Sequence, residues 1–240
     1  MSSAIELLCF DLDDTLWEAG PVLQRAEESQ YAWLEEHLPR IAAAHDIGTL
    51  QALRRRLARE RPALAHDFTA LRRVAMAELC ARHDYDPALG EAAVEAFLDA
   101  RSAVMPFEEV DEVLSDLRRN YRLASLTNGN VDLVRAGLAR YFDYMLSPAD
   151  TGCSKPDPRM FEALMARAGV AAAAMVHIGD DPWYDVEGAH RAQVRAVWLN
   201  RGGGDWPEGQ RRAQAEIASL RELRAVLQGM QDRKNETPKA

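Results

Sequence analysis

The chain has 240 residues, 48% of them hydrophobic and 28% charged, a balance that supports a full globular core, in one large domain or in a domain plus an insertion. Its net charge of −9 argues against nonspecific binding to nucleic acid or to an anionic membrane, while a local cation would still admit anionic small molecules. No stretch approaches the ~18 apolar residues of a membrane span, no basic leader opens the chain, and Cys9, Cys80 and Cys153 lack metal-ligand spacing, so a cytoplasmic protein with free thiols is expected.

The first predicted element is a strand over residues 5–10, an apolar run that ends in Asp11-Leu12-Asp13-Asp14-Thr15. Spacings of three and four then predict helices near 21–38, 49–61, 67–83 and 87–103, with no convincing strand among them. From Pro106 onward helix and strand signals alternate. Helices are expected at 109–119, 130–140, 158–168 and 184–191, and strands at 122–127, 144–146, 175–179 and 195–199. Such alternation implies βαβ units and a parallel sheet. Gly202-Gly203-Gly204 reads as a turn connector, because no Lys-Ser/Thr follows it as in a phosphate cradle. A terminal amphipathic helix is expected at 220–230, followed by a disordered tail.

The predicted fold class is therefore α/β, a Rossmann-like parallel sheet sandwiched by helices, with an inserted all-helical domain. The expected core domain is 1–16 and 103–230, the helical insertion 17–102 and the tail 231–240.

Four clusters carry chemistry. Asp11 and Asp13 follow a strand directly, at the sheet edge where open α/β folds bind ligands. They read either as a reactive carboxylate pair or as solvated acids that cap a turn, and their position favours the first. Thr127 and Asn128 end another strand ahead of a predicted helix. They suit a phosphate oxygen, and equally suit a helix cap. Lys155 lies in a proline-restricted loop that would aim an ammonium group, although a solvated turn lysine is the plainer reading. Asp180, Asp181 and Asp185 follow a third strand, whose His177 is expected to pack rather than ligate. Carboxylates gathered there would repel unless a cation joined them, and an oxygen donor set beside a phosphate points to Mg2+.

The order and types of these clusters resemble the four motifs of the haloacid dehalogenase-like superfamily, in its phosphatase branch, over residues 4–200 or so. The helical insertion resembles that superfamily's C1 cap. A closer resemblance, to the bacterial flavin mononucleotide and 5-amino-6-(5-phospho-D-ribitylamino)uracil phosphatases, rests on three elements besides Phe10-Asp11-Leu12-Asp13-Asp14-Thr15-Leu16 and His66-Asp67-x-Thr69 with Arg72. They are Thr127-Asn128-Gly129-Asn130, Ser154-Lys155-Pro156 and His177-x-Gly179-Asp180-Asp181.

The resemblance implies a Mg2+-dependent phosphatase acting on a small phosphate ester. Asp11 would be the nucleophile that forms an aspartyl-phosphate, and Asp13 the acid and base. Thr127, Asn128 and Lys155 would bind the phosphoryl group. Asp11, Asp13 (through its carbonyl) and Asp180 would hold the metal, with Asp185 behind them and Asp181 able to assist. Trp17, Pro21, His66, Asp67 and Arg72 are the cap candidates for touching substrate, with Trp17 foremost, by stacking on a ring. Neither nucleic acid nor membrane is expected as a partner, and the chain is expected to be a monomer or weak homodimer. A phosphosugar mutase or nucleotidase would keep the same motifs. A dehalogenase would need neither Asp13 nor a metal site, and a non-catalytic module would not need all four clusters filled.

Overall fold

The structure, a computed structural model, describes residues 4–235. Strand β1, Leu7–Phe10, buries all four of its side chains. That is what an unbroken apolar run requires when both faces of a sheet are covered. Five more strands follow: β2 Arg122–Leu126, β3 Tyr144–Leu146, β4 Met175–Gly179, β5 Arg195–Leu199 and β6 Ala215–Ile217. They form one six-stranded sheet in the order β3-β2-β1-β4-β5-β6, and every neighbouring pair is parallel.

The chain thus steps from β1 to one side and later returns to the other, which makes β1/β4 the topological switch point. Phe10 is level with Ser125 on β2 and with Ile178 on β4. In consequence the residues leaving β1, β2 and β4 emerge together at one edge of the sheet.

The helices are α1 Ala19–His37, α2 Pro39–Ala44, α3 Ile47–Glu60, α4 Phe68–Arg82, α5 Leu89–Ser102, α6 Val110–Leu117, α7 Pro148–Thr151, α8 Pro158–Ala168, α9 Gly188–Arg191 and α10 Leu223–Asn235. Among the described residues no helix is long and apolar enough to cross a membrane. Contacts divide the chain into two compact units. One holds the chain up to Trp17, Pro106–Asn128, and the chain from Ala139. The other holds Glu18–Met105 and Gly129–Leu138.

In the sheet unit, a core that includes Leu7, Cys9, Leu126, Phe161, Met175 and Trp198 is closed by α8. Asp157 caps α8 by accepting from the Arg159 N–H, Pro158 opens it, and Gly169 ends it at φ 65. The helical unit has its own core, which includes Leu34, Ile41, Leu57, Leu71, Met76 and Leu79. Asp46 and Asp67 cap α3 and α4 by accepting from Thr49 N–H and Ala70 N–H.

Some expected elements differ. The chain breaks at Leu38 and restarts on Pro39 as α2, a short helix hidden behind the longer α1 pattern. No α-helix forms over 130–140, and only a short 3-10 turn follows at Ala139–Tyr141. Asp132 accepts from the N–H groups of Val134 and Arg135, and Gly137 takes φ 70, so the stretch becomes a run of turns. That stretch belongs to the helical unit, so the unit is built from two segments instead of the expected 17–102 alone. Its Asn130 accepts from Arg101 Nε and donates to Thr69 Oγ1. The expected helix 184–191 is split into a wide turn over Pro182–Glu187 and α9. Strand β6 is only three residues long, too short for a readable alternation. Helix α10 runs to Asn235, so 231–235 are helical, and residues 236–240 of the expected tail lie outside the described residues.

Candidate active site

The level register of β1, β2 and β4 carries Asp11, Thr127 and Asp180 to the same edge of the sheet unit. Lys155 joins them from the loop ahead of α8. Its Nζ lies 2.6 Å from Asp11 Oδ1 and 2.6 Å from Asp185 Oδ1. Lys155 is itself anchored by Asn128. The Asn128 Oδ1 accepts from the Lys155 N–H at 2.7 Å, and Asn128 Nδ2 donates to the Lys155 carbonyl at 3.0 Å. The side chain of Asn128 therefore fixes the lysine loop and is not a helix cap. Thr127 is buried at the end of β2, where its N–H donates to the Leu146 carbonyl at 3.3 Å, so what it offers a ligand is its hydroxyl.

Asp185 opens no helix of its own but reaches back under β4. Its Oδ1 also accepts from His177 Nε2 at 2.8 Å, and its Oδ2 accepts from the Asp181 N–H at 3.0 Å. With both oxygens engaged, Asp185 supports the cluster from behind. Gly179 makes its approach possible, because a side chain there would overlap the Asp185 carboxyl. His177 Nδ1 lies 3.2 Å from Cys9 Sγ. Burial holds His177 below its ordinary pKa against the pull of Asp185, and burial raises the Cys9 thiol. A neutral imidazole thus donates from Nε2 and accepts from the thiol at Nδ1.

The hydroxyl of Thr15 stands between two of the acids, 3.4 Å from Asp11 Oδ2 and 3.2 Å from Asp180 Oδ1. Ligand oxygens of Asp11, Asp180 and Asp185 all lie within 4.8 Å of one another. Three carboxyl groups and one ammonium share this space. Burial pushes the Asp11 carboxyl up, Lys155 opposes it, and Asp185 and Asp180 add to the rise. Burial would also raise Asp185, but Lys155 and His177 overcome it and hold that carboxyl well below the ordinary range. Lys155 stays charged, since Asp11 and Asp185 outweigh its burial. Among the described residues Asp180 has no such cationic partner, and its carboxyl accepts from the Thr15 hydroxyl. Burial, then Asp185, then Asp14 push it up to about 7.

With all three acids ionised, the cluster carries two negative charges in excess of Lys155. A divalent cation with a preference for oxygen donors fits that deficit and that donor set. Asp181 stands outside the cluster, because its Oδ1 accepts from the N–H groups of Trp183 and Tyr184, both at 2.7 Å.

Asp13 sits at the start of a tight loop. The Asp14 N–H donates to the Trp17 carbonyl at 2.7 Å, and Asp14 itself takes φ 59, a conformation Asp tolerates better than most residues. That loop folds Trp17 back so that its Nε1 donates to Asp13 Oδ1 at 2.9 Å. The Trp17 side chain is fully buried, so stacking on a substrate ring is corrected to holding Asp13. Arg72 is corrected too. In the helical unit it is 5% exposed and spends two nitrogens on Glu27 and Gln30. Asp14, Thr15 and His177 contribute to the cluster without standing out as site residues in the sequence. Thr15 is the most legible of them, since it closes the Asp-x-Asp-x-Thr run.

Residues 5–193 match the family model for haloacid dehalogenase-like hydrolases. The chain is 30% identical over 205 residues to the 5-amino-6-(5-phospho-D-ribitylamino)uracil phosphatase YigB of Escherichia coli (strain K12), covering 84% of this chain and 86% of that protein. It is 34% identical over 223 residues to a phosphoserine phosphatase of Thermus thermophilus, covering 82% and 90%. Its structure is similar to that of a 2-haloacid dehalogenase from Pseudomonas syringae pv. Tomato DC3000, with a TM-score of 0.89 at 39% identity, covering 94% of this chain and 99% of that one. On sequence and structure alike, this chain belongs to the haloacid dehalogenase-like hydrolases.

Proposed function

We propose that this hydrolase is a Mg2+-dependent phosphatase acting on a small phosphomonoester. The observation that carries the reading is Asp13, an acid two residues beyond Asp11 and held by Trp17 Nε1. Removal of a halide needs no proton donor, whereas an alkoxide leaving group does.

In this reading Asp11 attacks phosphorus and becomes an aspartyl-phosphate, while Asp13 protonates the departing alcohol. Asp13 then takes the proton of the water that cleaves the intermediate. The Thr127 hydroxyl and the Lys155 ammonium orient the phosphoryl oxygens and offset their charge. Asn128 keeps Lys155 in place. Asp11 and Asp180, with the Asp13 carbonyl, are the groups suited to hold Mg2+, and Asp185 backs them. When bound, the ion would supply charge neutralisation on the phosphoryl oxygens.

The similarity to the Escherichia coli enzyme supports flavin mononucleotide or 5-amino-6-(5-phospho-D-ribitylamino)uracil as substrates to try first. A second reading, 2-haloacid dehalogenase, draws on the similarity to the Pseudomonas syringae protein. The deciding assay incubates the purified chain with flavin mononucleotide, p-nitrophenyl phosphate and 2-chloropropionate, with Mg2+ or with chelator. Phosphate release that needs Mg2+ and disappears in Asp11→Asn is expected. Chloride release undiminished by chelator, with no phosphate released, would replace the phosphatase reading with the second one.

A further inference from the structure

The helical unit contains a cavity of about 400 Å³, whose lining residues all belong to that unit. Small-molecule pockets run from roughly 300 to 1,000 Å³. In a chain of net charge −9, this wall is cationic: Arg54, Arg55 and Arg72 line it, with Glu27 as its one carboxylate.

Glu27 is already spent. Its Oε1 accepts from Arg54 Nη2 at 2.5 Å and from Arg72 Nη2 at 2.8 Å. One carboxylate therefore serves two largely buried guanidinium groups. Among the described residues, Arg72 Nε and Arg54 Nη1 are buried without a hydrogen-bond partner. Arg72 is 5% exposed and lies over the Phe97 ring, 3.3 Å from its centroid. Both of these atoms are shielded from solvent and face the packed helices, so what the cavity itself receives from Arg54 and Arg72 is their charge.

A purely structural account, in which Arg54, Glu27 and Arg72 tie α1, α3 and α4 together, explains the ion pairs. It does not explain the exposed part of the cavity wall. Arg55 lines the same cavity as an exposed residue with no ion-pair partner among the described residues. Phe68 lines it too, with half of its side chain open to solvent. An uncommitted guanidinium group and an open aromatic face in one cationic cavity make a receptor for a molecule that is anionic at one end and flat and apolar at the other.

We propose that this cavity binds a small organic anion, a carboxylate or phosphate joined to an aromatic or apolar body. The anionic end meets Arg55, in the field of the buried Arg54 and Arg72 charges, and the apolar end lies on Phe68. The inference concerns residues of the helical unit alone and stands whether or not the phosphatase reading does.

Benzoate is the probe. The full-length chain is titrated with benzoate by calorimetry and by NMR of the arginine Nε–H signals, as wild type and as Asp11→Asn, Arg55→Ala and Phe68→Ala. Equal binding to wild type and Asp11→Asn is expected, with a shift in the Arg55 signal. Arg55→Ala should bind about tenfold more weakly, the loss of one charge-assisted contact, with its melting temperature unchanged. Phe68→Ala should weaken binding without moving the melting temperature. Absence of binding at millimolar benzoate would overturn the proposal, as would binding that is lost in Asp11→Asn but kept in Arg55→Ala. Once binding is established, kinetics with p-nitrophenyl phosphate and then a larger ester separate the sources of the anion. Benzoate that raises KM only for the larger ester places part of that substrate in the cavity. Benzoate that leaves both KM values unchanged assigns the cavity to a separate effector.

Discussion

Gly179 and Asp185 occupy what would otherwise be one space. A Cβ at position 179 would fall inside the Asp185 carboxyl and lie 2.7 Å from the Asp185 Cβ. The last residue of β4 is thus small so that an acid six residues later can reach Lys155 and His177.

Gly179→Ala should therefore displace Asp185 without touching any substrate. The expected result is a protein destabilised by about 2–4 kcal/mol, in the range of overpacked buried sites and broken buried pairs, with hydrolysis reduced at least as much as in Asp185→Asn. Chemical denaturation and kcat/KM on the same samples check both parts. A variant with wild-type stability and rate would mean that Asp185 does not need this position.

Trp17→Phe removes one donor from Asp13 and little else. Stability should fall by about 1 kcal/mol, as for a single buried hydrogen bond. The informative readout is dependence on the leaving group. Esters of alcohols with high pKa should slow by about tenfold or more, because general-acid assistance contributes about 10²–10⁴-fold. Esters of p-nitrophenol, which depart without help, should change far less. Equal slowing of both ester classes would remove Trp17 from any positioning of the acid.

Mg2+ should stabilise the protein through the excess charge of the acid cluster. At a hundredfold excess over Kd the gain is about 2.7 kcal/mol, read as a rise in melting temperature that chelator reverses. Asp180→Asn removes one of the carboxylates that repel one another and should abolish most of that gain. If its melting temperature rose with Mg2+ as much as the wild type's, the ion would be binding elsewhere.

The helical unit carries a pH-dependent pair of its own. His45 Nε2 lies 3.2 Å from His83 Nε2, so one ring must donate while the other accepts. Burial, then His83, then Arg82 hold His45 below its ordinary pKa. A histidine whose folded pKa is depressed contributes stability above its unfolded value, near 6.5, and loses it as pH falls through the folded one. Stability should therefore fall on acidification below about pH 6.5, and less steeply in His83→Gln. NMR titration of the histidine ring protons is the direct check, with His45 moving upward in that variant. An unchanged His45 titration would show that His83 is not part of the cause.

The sheet and the acid cluster are legible in the sequence for one reason. Unbroken apolar runs such as Leu7–Phe10 signal strands buried on both faces, and the acids and hydroxyls that end them stand out against that background. Asp11, Thr127, Lys155 and Asp180 need only their positions in sequence. What the sequence hides depends on contacts between distant residues. Nothing local says that Asn128 clamps the Lys155 backbone, since its alternative as a helix cap has the same residue type in the same place. Trp17 reads as a stacking surface because an aromatic near a reactive loop usually offers a face. Its burial follows from the Asp14 turn, which reverses the chain within three residues. The stretch 130–138 has helical composition, but Asp132 captures the N–H groups that a first turn would leave open.

That last stretch bears on how such a protein exchanges parts. Asn130 bonds Arg101 and Thr69, and the Asp132 N–H donates to the Ser102 hydroxyl oxygen. The helical unit is therefore assembled from two pieces of chain. A chimera that imports Glu18–Met105 from a relative, but keeps its own Gly129–Leu138, would set foreign helices against a native loop whose bonding partners they need not carry. Recombination that carries both pieces would preserve Arg101, Thr69 and Asn130 as a set.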